Sequence, residues 1–353
     1  MSKTTLGLWS IVLAAQLGCP LANSADTPAA APKPRVTWSP APGSVINPSK
    51  NTDLDAWESY RGKSRKPSVD RHLDDPILHG AIDVHAHFGP DTYDRQWDAF
   101  EIAKMAHARG MRGAVFKDHW SETAGLAYLI RKYDDVPGFE AFGGLALNAT
   151  VGGINPQAVR YFAEVEGHYA KVVWMPTHDS ENEVKALKEN RPYVIVSKDG
   201  ELVPAVLEVL DLIAHYKLTL ATGHVSAEEM LQIVAEARKR GIEHIIITHP
   251  GLGPQFTDPT IAQLEQAAAL GAYAEVVVPE LGTKLRDNTL KMIKAIGPAH
   301  CLVSTDSGLT GSQNHPDALA GAAKTLREAG FSEADLNLMF KENPARVLGL
   351  SVQ

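Results

Sequence analysis

The sequence predicts an α/β chain folded as a (β/α)8 TIM barrel behind an extended N-terminal segment, and three observations predict it. From about residue 76 onward, strand-like and helix-like segments alternate eight times over about 270 residues, against the ~250 usual for such barrels. The strand-like segments are continuous apolar runs such as Ile245-Ile246-Ile247, the pattern of a parallel sheet covered on both faces. No glycine-rich phosphate loop follows the first strand, which counts against the runner-up, an open doubly wound sheet.

Residues 1–25 read as an export signal. Lys3 is the one charge before Asp26, and Leu6–Leu17 is apolar yet shorter than the ~20 residues that span a bilayer. Small residues at Ala22, Ser24 and Ala25 suit a signal peptidase, so a periplasmic or secreted protein is expected. Gly18-Cys19 resembles the end of a lipobox, but Gln16 stands where leucine is usual, which disfavours lipid anchoring through Cys19. Residues 26–75 are rich in Pro, Ala, Ser and Lys and carry no period of 2 or 3.6. They predict an extended segment, docked in places through Trp38, Trp57 and Tyr60. The barrel is expected over 76–353.

Within it, strand Ala81–His85 leads to helix Asp98–Arg109, Gly113–Lys117 to Ser121–Tyr133, and Phe139–Leu147 to a helix opening at Asn155-Pro156, where proline suits the first turn. Strand Lys171–Met175 is followed by an insertion, Thr177–Leu202, with a hairpin turning at Lys198-Asp199-Gly200. Helix Pro204–His215, strand Leu218–Thr222 and helix Ser226–Arg240 come next, the last opened by a Ser226/Glu229 capping box. His244–Thr248 pairs with Ile261–Leu270, Ala272–Val278 with Asp287–Ile296, and Cys301–Thr305 with the helices of Ala318–Leu348.

Composition narrows the function classes. The net charge is −8, and loss of Lys3 with the leader makes it −9, with no basic run, which argues against nucleic-acid binding. No segment after the leader is apolar and long enough to span a membrane. Cys19 would leave with the leader, and Cys301 alone cannot form an internal disulfide. A small-molecule substrate is the expected partner, with homo-oligomerisation left open.

The chemistry gathers at the C-terminal ends of the strands, where such barrels place their active sites. His85 and His87 end the first strand and, two apart, project to one side. Lys117-Asp118-His119 ends the second, His224 the fifth, His249 the sixth and Asp306 the eighth. Imidazole and carboxylate donors suit zinc first, with manganese, cobalt or iron as alternatives. His119 and His178 are candidate substrate contacts. By strand parity Asp83 shares the His85 face at a deeper level and either supports it or makes a structural hydrogen bond, Trp174 is wall or core, and mid-strand Glu275 receives no role.

This ordered set resembles the metal-dependent amidohydrolase superfamily over Pro76–Leu350, including the ending Asn343-Pro-Ala-Arg-Val-Leu-Gly-Leu350. The resemblance implies metal ligands at His85, His87, His224, His249 and Asp306, holding one or two divalent ions. It further implies hydrolysis of an amide, cyclic amide or ester, with Asp306 and His249 as candidate catalytic residues and Asp306 as proton shuttle. Where relatives carry a bridging carboxylated lysine on the fourth strand, Lys171 stands at the wrong, N-terminal end. Lys117 on the second strand is therefore the candidate N6-carboxylysine and sixth ligand. Two alternatives stay open: a decarboxylase or isomerase on the same barrel, and a non-catalytic metal- or ligand-binding protein, which the proton-shuttling Asp306 disfavours.

Overall fold

Eight parallel strands wrap into a barrel whose closure joins the two strand ends carrying His85, His87 and Asp306. The computed structural model describes residues 46–47, 66–133, 135–282 and 284–352, and the export signal, Cys19, Trp38, Trp57 and Tyr60 lie outside the described residues. The strands are β1 (Ile82–Ala86), β2 (Gly113–Phe116), β3 (Glu140–Ala146), β4 (Ala170–Trp174), β5 (Thr219–Ala221), β6 (Ile245–Ile247), β7 (Tyr273–Val277) and β8 (Cys301–Ser304). Each follows its predecessor in the sheet, and each expected boundary falls within one residue of the observed one. The last seam is made just beyond β8. Ala86 bridges Ser307, Asp306 N donates to His85 O at 2.9 Å, and His87 N donates to Ser307 O at 3.1 Å. The expected TIM barrel is borne out.

Helices α1 (Ala99–Ala108), α2 (Ala124–Tyr133), α3 (Pro156–Ala163), α4 (Pro204–Tyr216), α5 (Ala227–Lys239), α6 (Ile261–Ala269), α7 (Arg286–Ile296) and α8 (His315–Glu328) follow the strands in turn. Their starts are written locally. Asp98 with Glu101, Ser226 with Glu229 and Thr260 with Gln263 form reciprocal capping boxes, satisfying backbone N–H groups that the first turn leaves open. Among the described residues no helix is long and apolar enough to cross a membrane.

Strand alternation sorts the apolar residues into two layers. Ile82, Val84, Val115, Phe142, Val172, Trp174, Ile246 and Leu302 fill the barrel, and Ala345, Val347 and Leu348 of the C-terminal segment pack with them. Ala81, Ala86, Phe116, Val173, Ala274, Val276 and Val303 face the helices. The insertion after β4 carries a short helix, Glu181–Ala186, and the expected hairpin, Ser197–Lys198 against Glu201–Leu202. Asp199 and Gly200 take positive φ at its tip, the conformation that matches the strand twist. Ile46–Asn47 pairs antiparallel with Tyr193–Val194.

Candidate metal centre

A register shift in β1 aims the two leading histidines. The pairing with β2 slips between Asp83 and Ala86, so the chain gains a residue there. Ile82 and Val84 lie in the barrel-interior layer and Ala86 in the outer one, yet the His85 ring lies 5.8 Å from that of interior Trp174. Two consecutive residues, Val84 and His85, thus face inward, and His87 follows two residues on. The expectation that Asp83 shares the His85 face is corrected by this shift. Asp83 faces outward and makes structural hydrogen bonds, accepting from His85 N (3.1 Å), Thr305 N (3.0 Å) and Thr305 Oγ1 (2.6 Å).

The arrangement of donors and acceptors then calls for a cation. His85 Nδ1 lies 2.9 Å from Glu275 Oε1 and His87 Nδ1 lies 3.0 Å from the Lys117 carbonyl oxygen. Both partners only accept, so each Nδ1 carries a proton, and a neutral ring so held presents the lone pair of its Nε2 to the site. Those two nitrogens both stand 3.2 Å from Asp306 Oδ1. Burial holds the His87 pKa well below its usual value, which keeps that ring neutral. Burial alone would raise the Asp306 pKa, but the neighbouring His85 and His87 outweigh it and hold the carboxyl well below its usual range. Three electron-pair donors therefore converge, within 4.8 Å of one another, and a divalent ion fits among them. Of the three, Asp306 alone opens appreciably to solvent, with 21% of its side chain exposed against 0% for His85 and 3% for His87.

Lys117, His224 and His249 adjoin this set. The Lys117 ammonium nitrogen lies 2.9 Å from His85 Nε2 and 5.0 Å from the Trp174 ring centre. Burial lowers its pKa to about 8, so a neutral amine is accessible near neutral pH. His224 Nδ1 lies 2.5 Å from Glu183 Oε2, which leaves its Nε2 as a buried lone pair with no hydrogen-bond partner. His249 Nδ1 is likewise buried and unpartnered. The two imidazoles are 4.9 Å apart, with Phe256 edge-on to both. Burial lowers their pKa values to about 3 and about 4, so both rings are neutral and available as ligands. The His249 ring lies 5.9 Å from that of His85, so these two buried, orphaned ring nitrogens are available as further ligands next to the first set. Lys171, by contrast, is the second residue of β4, with its Nζ 5.7 Å from the Phe142 ring centre and the strand's site end at Trp174.

The backbone at the site is strained where the ligands turn inward. His249 has φ 24° and Asp306 φ 48°, a region most side chains avoid and one that clusters at functional sites. Gly223 before His224 has φ 66°, and a Cβ there would stand 2.3 Å from Met175 O, so glycine is required.

A family model described as "Family of unknown function (DUF6282)" matches residues 80–275, more than half the chain. The chain belongs to the DUF6282 family. The matched span holds His85, His87, Lys117, His224, His249 and Glu275 and stops short of Asp306. No curated protein matches the sequence. Among solved structures, an amidohydrolase from Pseudomonas aeruginosa is similar at a TM-score of 0.53 and 12% identity, covering 77% of this chain and 97% of its own. A phosphotriesterase homology protein from Escherichia coli, with phosphate in its active site, gives 0.53 and 16% over 77% and 99%. A Burkholderia multivorans amidohydrolase with bound zinc gives 0.53 and 14% over the same shares. This DUF6282 protein thus shares its barrel fold with these amidohydrolases.

The remaining candidates line the mouth. His119 Nδ1 lies 3.0 Å from Thr177 Oγ1, which Asn148 Nδ2 also contacts at 2.7 Å, and its ring lies 4.6 Å from that of His87. His178 lies 4.2 Å from His119, with its Nδ1 2.8 Å from Glu183 Oε1. His178, Glu183 and His224 form a second convergent set of possible ligand atoms. Sequence reasoning in this DUF6282 chain passed over Glu275 and Glu183. Parity gave a signal for Glu275, since an ionisable residue between Ala274 and Val276 of β7 points into the barrel and must find a partner there. For Glu183 the Ser180-x-x-Glu183 spacing reads as a helix cap. Its carboxylate holds His178 and His224 instead, and no spacing rule foretells that.

Proposed function

We propose that the protein is an exported metal-dependent hydrolase acting on an amide, cyclic amide or ester, with zinc as the first candidate ion. The observation that carries this reading is the meeting of His85 Nε2, His87 Nε2 and Asp306 Oδ1 at 3.2 Å, with Lys117 against His85 and the orphaned His249 Nδ1 and His224 Nε2 on the neighbouring rings. The barrel shared with amidohydrolases, one of them zinc-bound, supports it. Export rests on the leader features alone.

In this reading His85, His87, Lys117 and Asp306 would hold one ion, and His224 and His249, with a carboxylated Lys117, would hold another. A divalent ion bound there lowers the pKa of water from 15.7 toward ~7 and polarises a carbonyl. Glu275 and Glu183 keep the protons of His85 and His224 on Nδ1, which leaves Nε2 free to bind. Asp306, the ligand open to solvent, takes the proton from the attacking water and returns it to the leaving group. For the lysine to bridge, its neutral amine adds to carbon dioxide, forming the N–C bond of a carbamate and releasing one proton. The lowered Lys117 pKa favours that amine.

The test combines metal analysis, turnover and two variants. The protein as isolated is expected to carry divalent metal, to lose activity to a chelator and to regain it with zinc, manganese or cobalt. D306N is expected to lose about 10²- to 10⁴-fold in turnover while still holding metal. Full turnover in a metal-bound D306N overturns the proton relay, and no turnover on an amide and ester panel overturns the hydrolase. Labelled bicarbonate should place a carbamate carbon on wild type and not on K117A. Absence of that signal removes the bridge and leaves one ion.

A further inference from the structure

Beyond the metal ligands, one side of the mouth is built from rings and ends in a guanidinium. His119 stands against His87 at 4.6 Å, and Tyr93 lies 6.2 Å from His119, 5.6 Å from His178 and 6.3 Å from Trp120, nearly parallel to the last. Arg95 closes the row, its Cζ 5.2 Å from the Tyr93 ring centre. The row therefore runs from a metal ligand, through His119 and Tyr93, to a cation.

Arg95 is held but only partly used. Its Nε donates to Asp91 Oδ2 at 2.8 Å and its side chain is 4% exposed. Among the described residues neither terminal nitrogen has a hydrogen-bond partner. Backbone pairing between Arg95 and Leu309 fixes it between the loops after β1 and β8, the second of which carries Asp306. Its positive charge is felt inside the site, where it helps depress the His87 and His119 pKa values after burial. A guanidinium with two free N–H edges, fixed at Nε and backed by an aromatic face, is built to receive a planar anion in bidentate fashion.

We propose that the substrate is a planar-ring amide or ester bearing a carboxylate, the ring lying on Tyr93 and Trp120 and the carboxylate on Arg95. This rests on the hydrolase reading for the bond that breaks, and on this geometry alone for what surrounds it. Trp120, Tyr93 and His178 give flat apolar faces at low entropic cost, because each side chain has only two rotatable angles. Burial raises the Tyr93 pKa, so its hydroxyl stays neutral and adds no negative charge to the wall.

The experiment reads binding, not turnover, on the metal-loaded full chain. Calorimetry compares hippurate with hippuramide, benzoate with benzamide, and hippurate with N-acetylglycine. Wild type is expected to prefer each acid over its amide by about tenfold, as a charge-assisted pair gives over a neutral one. R95Q should bring that ratio to within about threefold, R95K should keep part of it, and W120L should erase the preference for hippurate over N-acetylglycine. The double variant D91N/R95Q guards against an unpaired Asp91 unfolding the loop. An acid-over-amide preference that survives in folded R95Q assigns the carboxylate to the metal and overturns the proposal. Equal binding of acid and amide by wild type, or no binding of any acid, overturns it as well. A ring preference unchanged in W120L removes the wall. Failure of the hydrolase reading is seen separately, as absent turnover with these binding ratios intact.

Discussion

Glu275 Oε1 lies 2.9 Å from His85 Nδ1, and one mid-strand carboxylate thereby settles which nitrogen of the histidine faces the metal site. The same carboxyl accepts from Ser304 Oγ at 2.7 Å and from His249 N at 3.3 Å, so it ties the backs of β1, β6 and β8 together. Burial alone would raise its pKa, but the neighbouring His85, helped by the Ser304 hydrogen bond, outweighs burial and holds the carboxyl below its usual range. It stands where a carboxylate supporting a metal-binding imidazole is expected.

Removing that carboxylate should weaken metal before it weakens the fold. E275Q keeps the volume and the hydrogen-bonding capacity but loses the charge, and affinity for zinc is expected to fall about 10- to 100-fold. Competition against a chromogenic chelator measures it. An affinity equal to wild type would show that Glu275 serves only to stitch strands.

The way Glu275 was overlooked shows where sequence reading stops. Eight apolar runs with helical stretches between them suffice for the barrel, because strand period and burial on both faces are local properties. His85, His87, His224, His249 and Asp306 were legible because a parallel barrel puts every strand end at one mouth. Parity misplaced Asp83, because a single-residue shift in β1 changes which residues face inward and leaves no mark in the residue types. Glu183, Tyr93 and Trp120 come from loops and an insertion, whose paths depend on contacts far apart in the chain. Those segments decide specificity, so substrate identity is the least legible part of this sequence.

Glu280 carries a pH dependence that runs opposite to ordinary acid denaturation. It sits in the short helix Val278–Leu281, fully buried, and neither carboxyl oxygen has a hydrogen-bond partner. Burial, reinforced by Glu275 and Asp306, pushes its pKa well above 4.5. A raised carboxyl binds its proton more tightly when folded than when unfolded. Its contribution is therefore unchanged below pH 4.5 and becomes destabilising as pH rises from there to the folded pKa. E280L removes a buried unsatisfied polar group and should stabilise the protein by about 1–3 kcal/mol at pH 7, with a smaller gain at pH 4.5. Urea unfolding of both proteins at the two pH values checks this. A variant less stable than wild type at pH 7 shows that the carboxyl is needed where it lies.

Asp317 fastens the segment before the barrel, and through it the loop that carries Arg95. The side chain, at the start of α8, is fully buried and accepts from Arg71 N (2.7 Å), Leu73 N (2.8 Å), Arg109 Nη1 (2.9 Å) and Asn314 Nδ2 (3.1 Å). A few residues earlier, Ser68 N donates to Gln96 Oε1 (2.9 Å), Gln96 Nε2 donates to Ser68 O (2.6 Å) and Ser68 Oγ donates to Ser312 O (2.5 Å). Residues 68–73 thus join the loops after β1 and β8, the two that meet through Arg95 and Leu309. D317A leaves Arg109 without that carboxylate and two backbone N–H groups unsatisfied, at an expected cost of about 3–5 kcal/mol. The segment should release before the barrel melts, because the barrel keeps its own core. Limited proteolysis should then cut D317A within 66–75 at temperatures where wild type resists, and the acid-over-amide preference in binding should shrink alongside it. Cleavage at wild-type rates, with stability unchanged, would mean that Asp317 does not hold the segment.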